Sequence, residues 1–173
     1  MATTPEKFTF FYHAESPFSQ FHYAKFTAAP INFHNAEEEL EVQEFSSCEM
    51  WMMYNKAKLF KDEDIATKIL NTEEPFKCKK LGRQVKKFDQ AIWNMHSRTI
   101  VKEGNRHKFT QNPALLEKLR ATKGTTLAEA SPRDLLYGIG LSANNPRASD
   151  RNKWRGRNVL GQILTDLRDE LDK

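Results

Sequence analysis

Ser46 to Phe60, SSCEMWMMYNKAKLF, is the stretch that decides how this chain reads. Ser46-Ser47-Cys48-Glu49 has the spacing of a capping box, in which a Ser hydroxyl and a Glu three residues on satisfy each other's backbone N–H groups at a helix start. From Glu49 to Phe60 there is no Gly or Pro, so a helix is predicted there. Met50, Trp51, Met52, Met53 and Tyr54 read as core rather than as a cofactor box. Glu49 and Lys56 stand seven residues apart, close to two turns, so both lie on one face about 10.5 Å apart along the axis. Met53 falls between them. That face offers a carboxylate, an apolar floor and an amine.

Such a face suits cleavage of an N-glycosidic bond, whose transition state carries oxocarbenium-like positive charge at the anomeric carbon. A fixed carboxylate can stabilise that charge or position water. An amine can attack a ring-opened sugar aldehyde, provided burial lowers its pKa against the pull of the carboxylate. The plainer reading stays open: Glu49 as the capping-box glutamate, Lys56 as a solvated side chain.

Outward from this helix, helical signals dominate the C-terminal side. Asp62 opens a helix ending near Leu70, and Glu74 to Leu81 forms a short one that Gly82 closes. Val85 to about Glu103 reads as a longer helix with Phe88, Ile92, Met95 and Thr99 as its stripe and Gly104 as its stop. Asn112-Pro113 opens a helix through Arg120, and Ser131-Pro132 repeats that signature. Leu160, Leu164, Leu167 and Leu171 share one face of the last helix. On the N-terminal side, Phe8 to Tyr12 suits a strand and Leu40 to Phe45 alternates as a half-buried strand does. The expected fold is mainly α: one multihelical domain over residues 1–173, with a small β-containing N-terminal region.

With 173 residues the chain can bury a real core. Its mean hydropathy is −0.71, yet 11% of residues are aromatic, too many for a disordered segment. The formal charge of +4 and a pI near 9.0 suit an anionic substrate without requiring one. Cys48 and Cys78 lack CxxC spacing, which argues against a disulfide scaffold and for a reducing compartment. The first residues lack a signal-peptide pattern and no run reaches the length of a membrane span. The expected location is cytoplasmic or nuclear, with no membrane association and no obligate protein partner. None of the five histidines shows metal-ligand spacing, so neither metal nor cofactor is expected.

Two further segments could carry chemistry. In Tyr137-Gly138-Ile139-Gly140-Leu141-Ser142, two glycines could let the backbone approach a ligand and present N–H groups to oxyanions, or simply make a turn. In Arg147 to Gly161, RASDRNKWRGRNVLG, four arginines and a lysine surround Trp154 ahead of the last helix. Guanidinium groups there could grip a diphosphate, the indole could stack on a base, and the helix N-terminus favours phosphate. The same composition would serve a solvated loop capped by a buried Trp. Arg83 to Lys87, RQVKK, reads equally well as the polar face of a helix.

Taken in order, several of these segments resemble the NADAR (YbiA-like) family over residues 8–171. Phe18-Ser19-Gln20-Phe21 looks like its FSNF segment, and Ser47-Cys48-Glu49-Met50 leading to Lys56 is similar to its SxEH…K helix. Leu81-Gly82-Arg83, Phe88 within KKFDQAIW, Asn105 to Phe109 (NRHKF, with Lys108), YGIGLS and WRGRNVLG complete the series. The resemblance implies a mainly helical fold and N-glycosidase chemistry. It carries the catalytic carboxylate onto Glu49 and the helix lysine onto Lys56. It implies substrate contacts at Phe18, Ser19, Gln20, Phe21, Arg83, Phe88, Lys108, Tyr137, Gly138, Ile139, Gly140, Trp154 and Asn158. The chain departs from the family pattern at Gln20 for Asn, Met50 for His and Tyr137 for Trp. The riboflavin-associated branch tends to have Trp at Phe88 and Asp at Ile139. These last two changes favour the branch that removes ADP-ribose from modified guanine bases in nucleic acid. The alternatives are an N-glycosidase for ribosylamino-pyrimidine phosphates of the riboflavin pathway and a non-catalytic ADP-ribose-binding module.

Overall fold

The computed structural model, which describes residues 3–173, begins α1 (Cys48–Leu59) one residue later than the capping-box spacing implies. Ser47 is the N-cap, and its hydroxyl accepts the Met50 N–H at 3.1 Å. Glu49 is therefore the second helical residue and not the third, out of register for the reciprocal bond of a capping box. Almost every α1 side chain is buried, so it is a central helix with no solvent face. That is why it shows no amphipathic stripe.

The chain forms two compact units. In the unit made by residues 20–113, α1 packs against α2 (Glu63–Leu70), α3 (Pro75–Gly82) and α4 (Gln90–Thr110). Asp62 caps α2 by accepting the Ile65 N–H at 3.1 Å. A two-stranded antiparallel ribbon, β2 (Phe26–Ala28) with β3 (Gln43–Phe45), completes this unit. Phe26 and Phe45 stack across the ribbon at 5.6 Å and both meet Trp51. The expected strand from Leu40 is shorter than its alternation suggests, because β2 offers only three residues to pair with.

The longest helix departs most from expectation. It runs to Thr110, straight through Gly104. A methyl group at Gly104 would overlap the Trp51 ring, whose Nε1 donates to the Ile100 carbonyl at 2.8 Å. Gly104 is thus there for close approach of α4 to α1, and it does not stop the helix. Gly82 does end α3 as expected, and its missing side chain also leaves room for Met53. The expected stripe is also on the wrong side: Phe88, Ile92, Met95 and Thr99 are exposed, Met95 at 77%. The buried face carries Trp93, Ser97, Ile100, Val101, Gly104, Asn105, Lys108 and Phe109. Large apolar residues share that face with Ser97, Gly104, Asn105 and Lys108, and these polar and small members hide its stripe from the sequence.

The second unit holds residues up to Ser19 and from Ala114 onward. Here β1 (Phe8–Phe11) pairs in parallel with β4 (Thr126–Glu129), Phe8 opposite Thr126. The β content thus extends beyond the N-terminal region, since β4 pairs across more than a hundred residues of sequence. Along α6 (Val159–Leu171), which packs on β4, Leu160, Leu164 and Leu167 are buried as the leucine stripe predicts. The Asn112-Pro113 signature opens α5 (Pro113–Arg120) as expected. Ser131-Pro132 opens no helix. The Ser131 hydroxyl accepts the Asp134 N–H, and the Asp134 carboxylate accepts those of Leu136 and Tyr137, which winds the segment into turns.

Among the described residues there are six α-helices and four short strands, a mainly α architecture. No helix in them is long and apolar enough to cross a membrane. Both cysteines are free and buried.

Candidate active site

Glu49 is only 6% exposed, and no hydrogen-bond donor among the described residues reaches its carboxylate. Burial raises its pKa from 4.5 to about 7, although Lys79, Lys56 and Arg83 all pull it down. A carboxyl group in this state exchanges its proton near neutral pH, as a general acid or base must. The backbone fixes it in place. The Glu49 N–H donates to the Gln20 carbonyl at 2.9 Å, tying the first turn of α1 to the segment before β2.

Lys56, two turns on, is half-buried with its ammonium over Phe88 at 4.5 Å from the ring centroid and over Trp93 at 5.5 Å. Its pKa is lowered, first by desolvation and then by Arg83, while Glu49 pulls it up. Desolvation therefore wins, the condition a nucleophilic amine requires. The two rings also restrict the amine to a small range of positions. Since Arg83 acts on both Glu49 and Lys56, the helix-face pair predicted from spacing shares one electrostatic environment with α3.

Gln20 and Phe21 join this cluster. The Gln20 side chain accepts from Asn105 Nδ2 at 2.8 Å, and Asn105 in turn receives the Cys48 thiol at 3.6 Å. Gln20 thus acts through its backbone on Glu49 and through its side chain on α4. The Phe21 ring lies 5.3 Å from Phe76, with the Lys79 ammonium 5.6 Å from its centroid. Lys108 is different: it is wholly buried beside Phe109, and desolvation lowers its pKa. Its side chain is an interior part of α4 and offers no surface to a ligand.

Lys79, Phe76 and Trp93 were absent from the expected site. Lys79 and Arg83 are four residues apart and so share a helix face, a signal the sequence did carry. Trp93 ends the KKFDQAIW segment, while Phe76 has no local signal at all.

The remaining expected contacts lie in the other unit, where backbone bonding accounts for several of them. Phe18 packs edge-on against Phe11 at 5.7 Å, and Ser19 is buried with its N–H on the Ser16 carbonyl. The Ile139 side chain sits in the core cluster with Ala128, Ala130, Leu141 and Ala148, and its N–H donates to Glu129. The glycines serve close backbone packing. A methyl at Gly138 would meet the Glu129 and Asp134 carbonyls, and Gly140 has φ +73°, accessible to Gly at no cost. The expected phosphate site at the start of α6 is already filled. The N–H groups of Arg157, Asn158, Val159 and Leu160 donate to the carbonyls of Leu135, Gly138, Leu136 and Tyr137.

Asn158, expected to line a pocket, is fully buried in the left-handed conformation at φ 52°. Its side chain accepts the Glu129 N–H and donates to the Leu127 carbonyl, clipping β4 to the start of α6. Trp154 does not present a free face for stacking. Its Nε1 donates to the Ala148 carbonyl at 2.8 Å, Phe8 packs on it at 4.9 Å, and the Arg151 guanidinium lies 4.8 Å from its ring. Arg151 is in turn paired with Glu6. Arg155 and Arg157 remain exposed.

Comparison with known proteins places these features in a family. The family model described as the NADAR domain matches residues 9–172. The N-glycosidase R617 of Acanthamoeba polyphaga mimivirus is 43% identical over 82% of this chain and 83% of its own length. Protein irg-1 of Caenorhabditis elegans is 39% identical over 95% of this chain and 79% of its own. The solution structure of Escherichia coli YbiA shares the fold, with a TM-score of 0.71 at 21% identity, covering 98% of this chain and 88% of that one.

Proposed function

The chain belongs to the NADAR domain family, its reaction class is N-glycosidic-bond hydrolysis, and we propose that it removes ADP-ribose from modified guanine bases in nucleic acid. One observation carries the mechanism: a buried carboxyl group that no hydrogen-bond donor among the described residues reaches, under the influence of Lys79, Lys56 and Arg83. As the C1′–N bond breaks, its electron pair leaves with the base, and protonated Glu49 supplies the proton the departing nitrogen needs. The resulting carboxylate stands by the positive C1′, stabilises it, and accepts a proton from the water that adds there. Lys56, on giving up a proton, can instead take the opened sugar as an imine, releasing water on formation and consuming it on hydrolysis.

Two features support the ADP-ribose reading over a ribosylamino-pyrimidine phosphate. Arg83, which acts on both Glu49 and Lys56, offers a guanidinium fork that suits the bidentate grip of a diphosphate. Ile139 puts a core-packed apolar side chain where the riboflavin-associated branch tends to carry an acid. The test is direct incubation with ADP-ribosylated guanosine and, separately, a ribosylaminopyrimidine phosphate, with products identified by mass. Release of guanosine from the first is expected. Turnover of the pyrimidine alone, or binding of ADP-ribose with no turnover of either, overturns the proposal.

A further inference from the structure

One exposed patch beside Glu49 has no part in the chemistry described so far. Phe76 and Lys79 lie one turn apart on α3 and so project from the same side of the helix. Phe76 is 65% exposed, an unusual state for a ring that could have packed against α1. A solitary exposed Phe means little. This one stands 5.3 Å from Phe21, and the Lys79 ammonium lies 5.6 Å from the Phe21 centroid. Phe21 directly follows Gln20, whose carbonyl holds the Glu49 N–H. Lys77 is committed to Glu74 at 3.0 Å, while Lys79 has no ion-pair partner among the described residues. Its positive charge is instead the strongest of those acting on Glu49.

The arrangement has a direction. Along α1 the site has an aromatic group at each end: Phe21 with Phe76 beside Glu49, and Phe88 with Trp93 around Lys56. The ends are separated by about two helical turns, roughly 10 Å. Phe88 already carries the Lys56 ammonium at 4.5 Å from its centroid and is less exposed than Phe76, so that end holds an amine. Phe76 keeps an open face. A leaving base must be close to the group that protonates it. The aromatic ground for that base is therefore the Glu49 end, and a cation beside it suits the phosphate of the same nucleotide.

We propose that Phe76 and Lys79 form the subsite for the departing guanine nucleotide, the ring stacking on the base and the ammonium pairing with its phosphate. This rests on the reading of Glu49 as the group at the scissile bond. It accounts for recognition of the released half of the substrate, independently of how the ADP-ribose half is held.

The experiment titrates the intact protein with 5′-GMP and with guanosine, followed by ligand-detected NMR. The parent protein should bind 5′-GMP more tightly than guanosine. Phe76→Ala should weaken both by about tenfold or more, the loss expected for one stacked base. Phe76→Leu, which keeps bulk but no π face, should behave like the Ala variant. Lys79→Ala should reduce 5′-GMP to the affinity of guanosine and remove its salt dependence. Because Phe76 lies at the surface, thermal unfolding should be unchanged in both Phe76 variants. Affinity for 5′-GMP within twofold of the parent in Phe76→Ala, recovery in Phe76→Leu, or equal binding of the two ligands by the parent overturns the subsite. Phe76-dependent 5′-GMP binding by a protein that fails to release guanosine from its ADP-ribosylated form keeps the subsite and sinks the substrate proposed above.

Discussion

Replacing Glu49 by Gln should make the protein more stable and inactive at once, with the gain set by pH. In the folded chain burial raises the Glu49 pKa from 4.5 to about 7. Folding therefore favours the protonated form. The stability this supplies is complete below pH 4.5, declines as pH rises, and is gone above about pH 7. At about 1.4 kcal/mol per pH unit, the full difference is about 3 kcal/mol. Gln resembles the protonated acid in shape and has no charge to desolvate. The two proteins should thus be nearly equal in stability at pH 4.5, with the variant ahead by up to about 3 kcal/mol at pH 8. Urea unfolding of both proteins at intervals across that range measures the difference. Turnover should fall by a factor of about a hundred or more, since the carboxyl acts on charge and protons that appear only in the transition state, while ADP-ribose affinity stays within about tenfold. A capping glutamate predicts the reverse, a loss of about 1 kcal/mol, with activity retained. A Gln variant less stable than its parent at pH 8 would refute the reasoning.

Lys56→Arg should be inactive, because arginine keeps the charge but cannot act as the nucleophile; borohydride added during turnover should trap a sugar adduct on Lys56 in the parent. An active Arg variant, or turnover without a trapped adduct, reduces Lys56 to positioning. If the exposed Arg155 and Arg157 meet nucleic-acid phosphates, replacing both by Ala should lower the salt dependence of strand binding, by about one phosphate contact per residue. An unchanged slope leaves them as solvated surface. Gly104→Ala should destabilise by about 1–3 kcal/mol in denaturant unfolding despite alanine's better helix propensity, since the added methyl would overlap the Trp51 ring. A neutral or stabilising result would mean that α1 and α4 can move apart freely.

The helices were legible wherever the signal was local. Asp62 and Pro113 mark real starts, because a side-chain cap and a proline at the first helical position each need only their own helix. The leucine stripe of α6 is right because one face of that helix meets a single neighbour. Gly104 was misread, since a helix stop and a close helix crossing use the same residue and differ only in what lies opposite, whereas Gly82 does end α3. The stripe on α4 failed for a related reason. Its core face mixes Trp93, Ile100, Val101 and Phe109 with Ser97, Gly104, Asn105 and Lys108, while Ile92 and Met95 face outward. Neither β4 nor β2 was visible, as both are too short for alternation to show and β4 pairs with a strand far away in sequence.

At the site, the sequence by itself determined the pairing of Glu49 with Lys56 on one helical face, since a spacing of seven in a helix leaves no other choice. It also determined the family resemblance, through the order of short motifs. Only the tertiary structure decided what state those two groups are in. The spacing is the same whether α1 lies at the surface or at the centre. It is the packing of α2, α3 and α4 around α1 that takes the carboxylate and the amine out of water, raising one pKa and lowering the other. The structure likewise decided that Asn158, Ile139, Trp154 and the start of α6 hold the fold together. Their hydrogen bonds and contacts go to partners that no local pattern names.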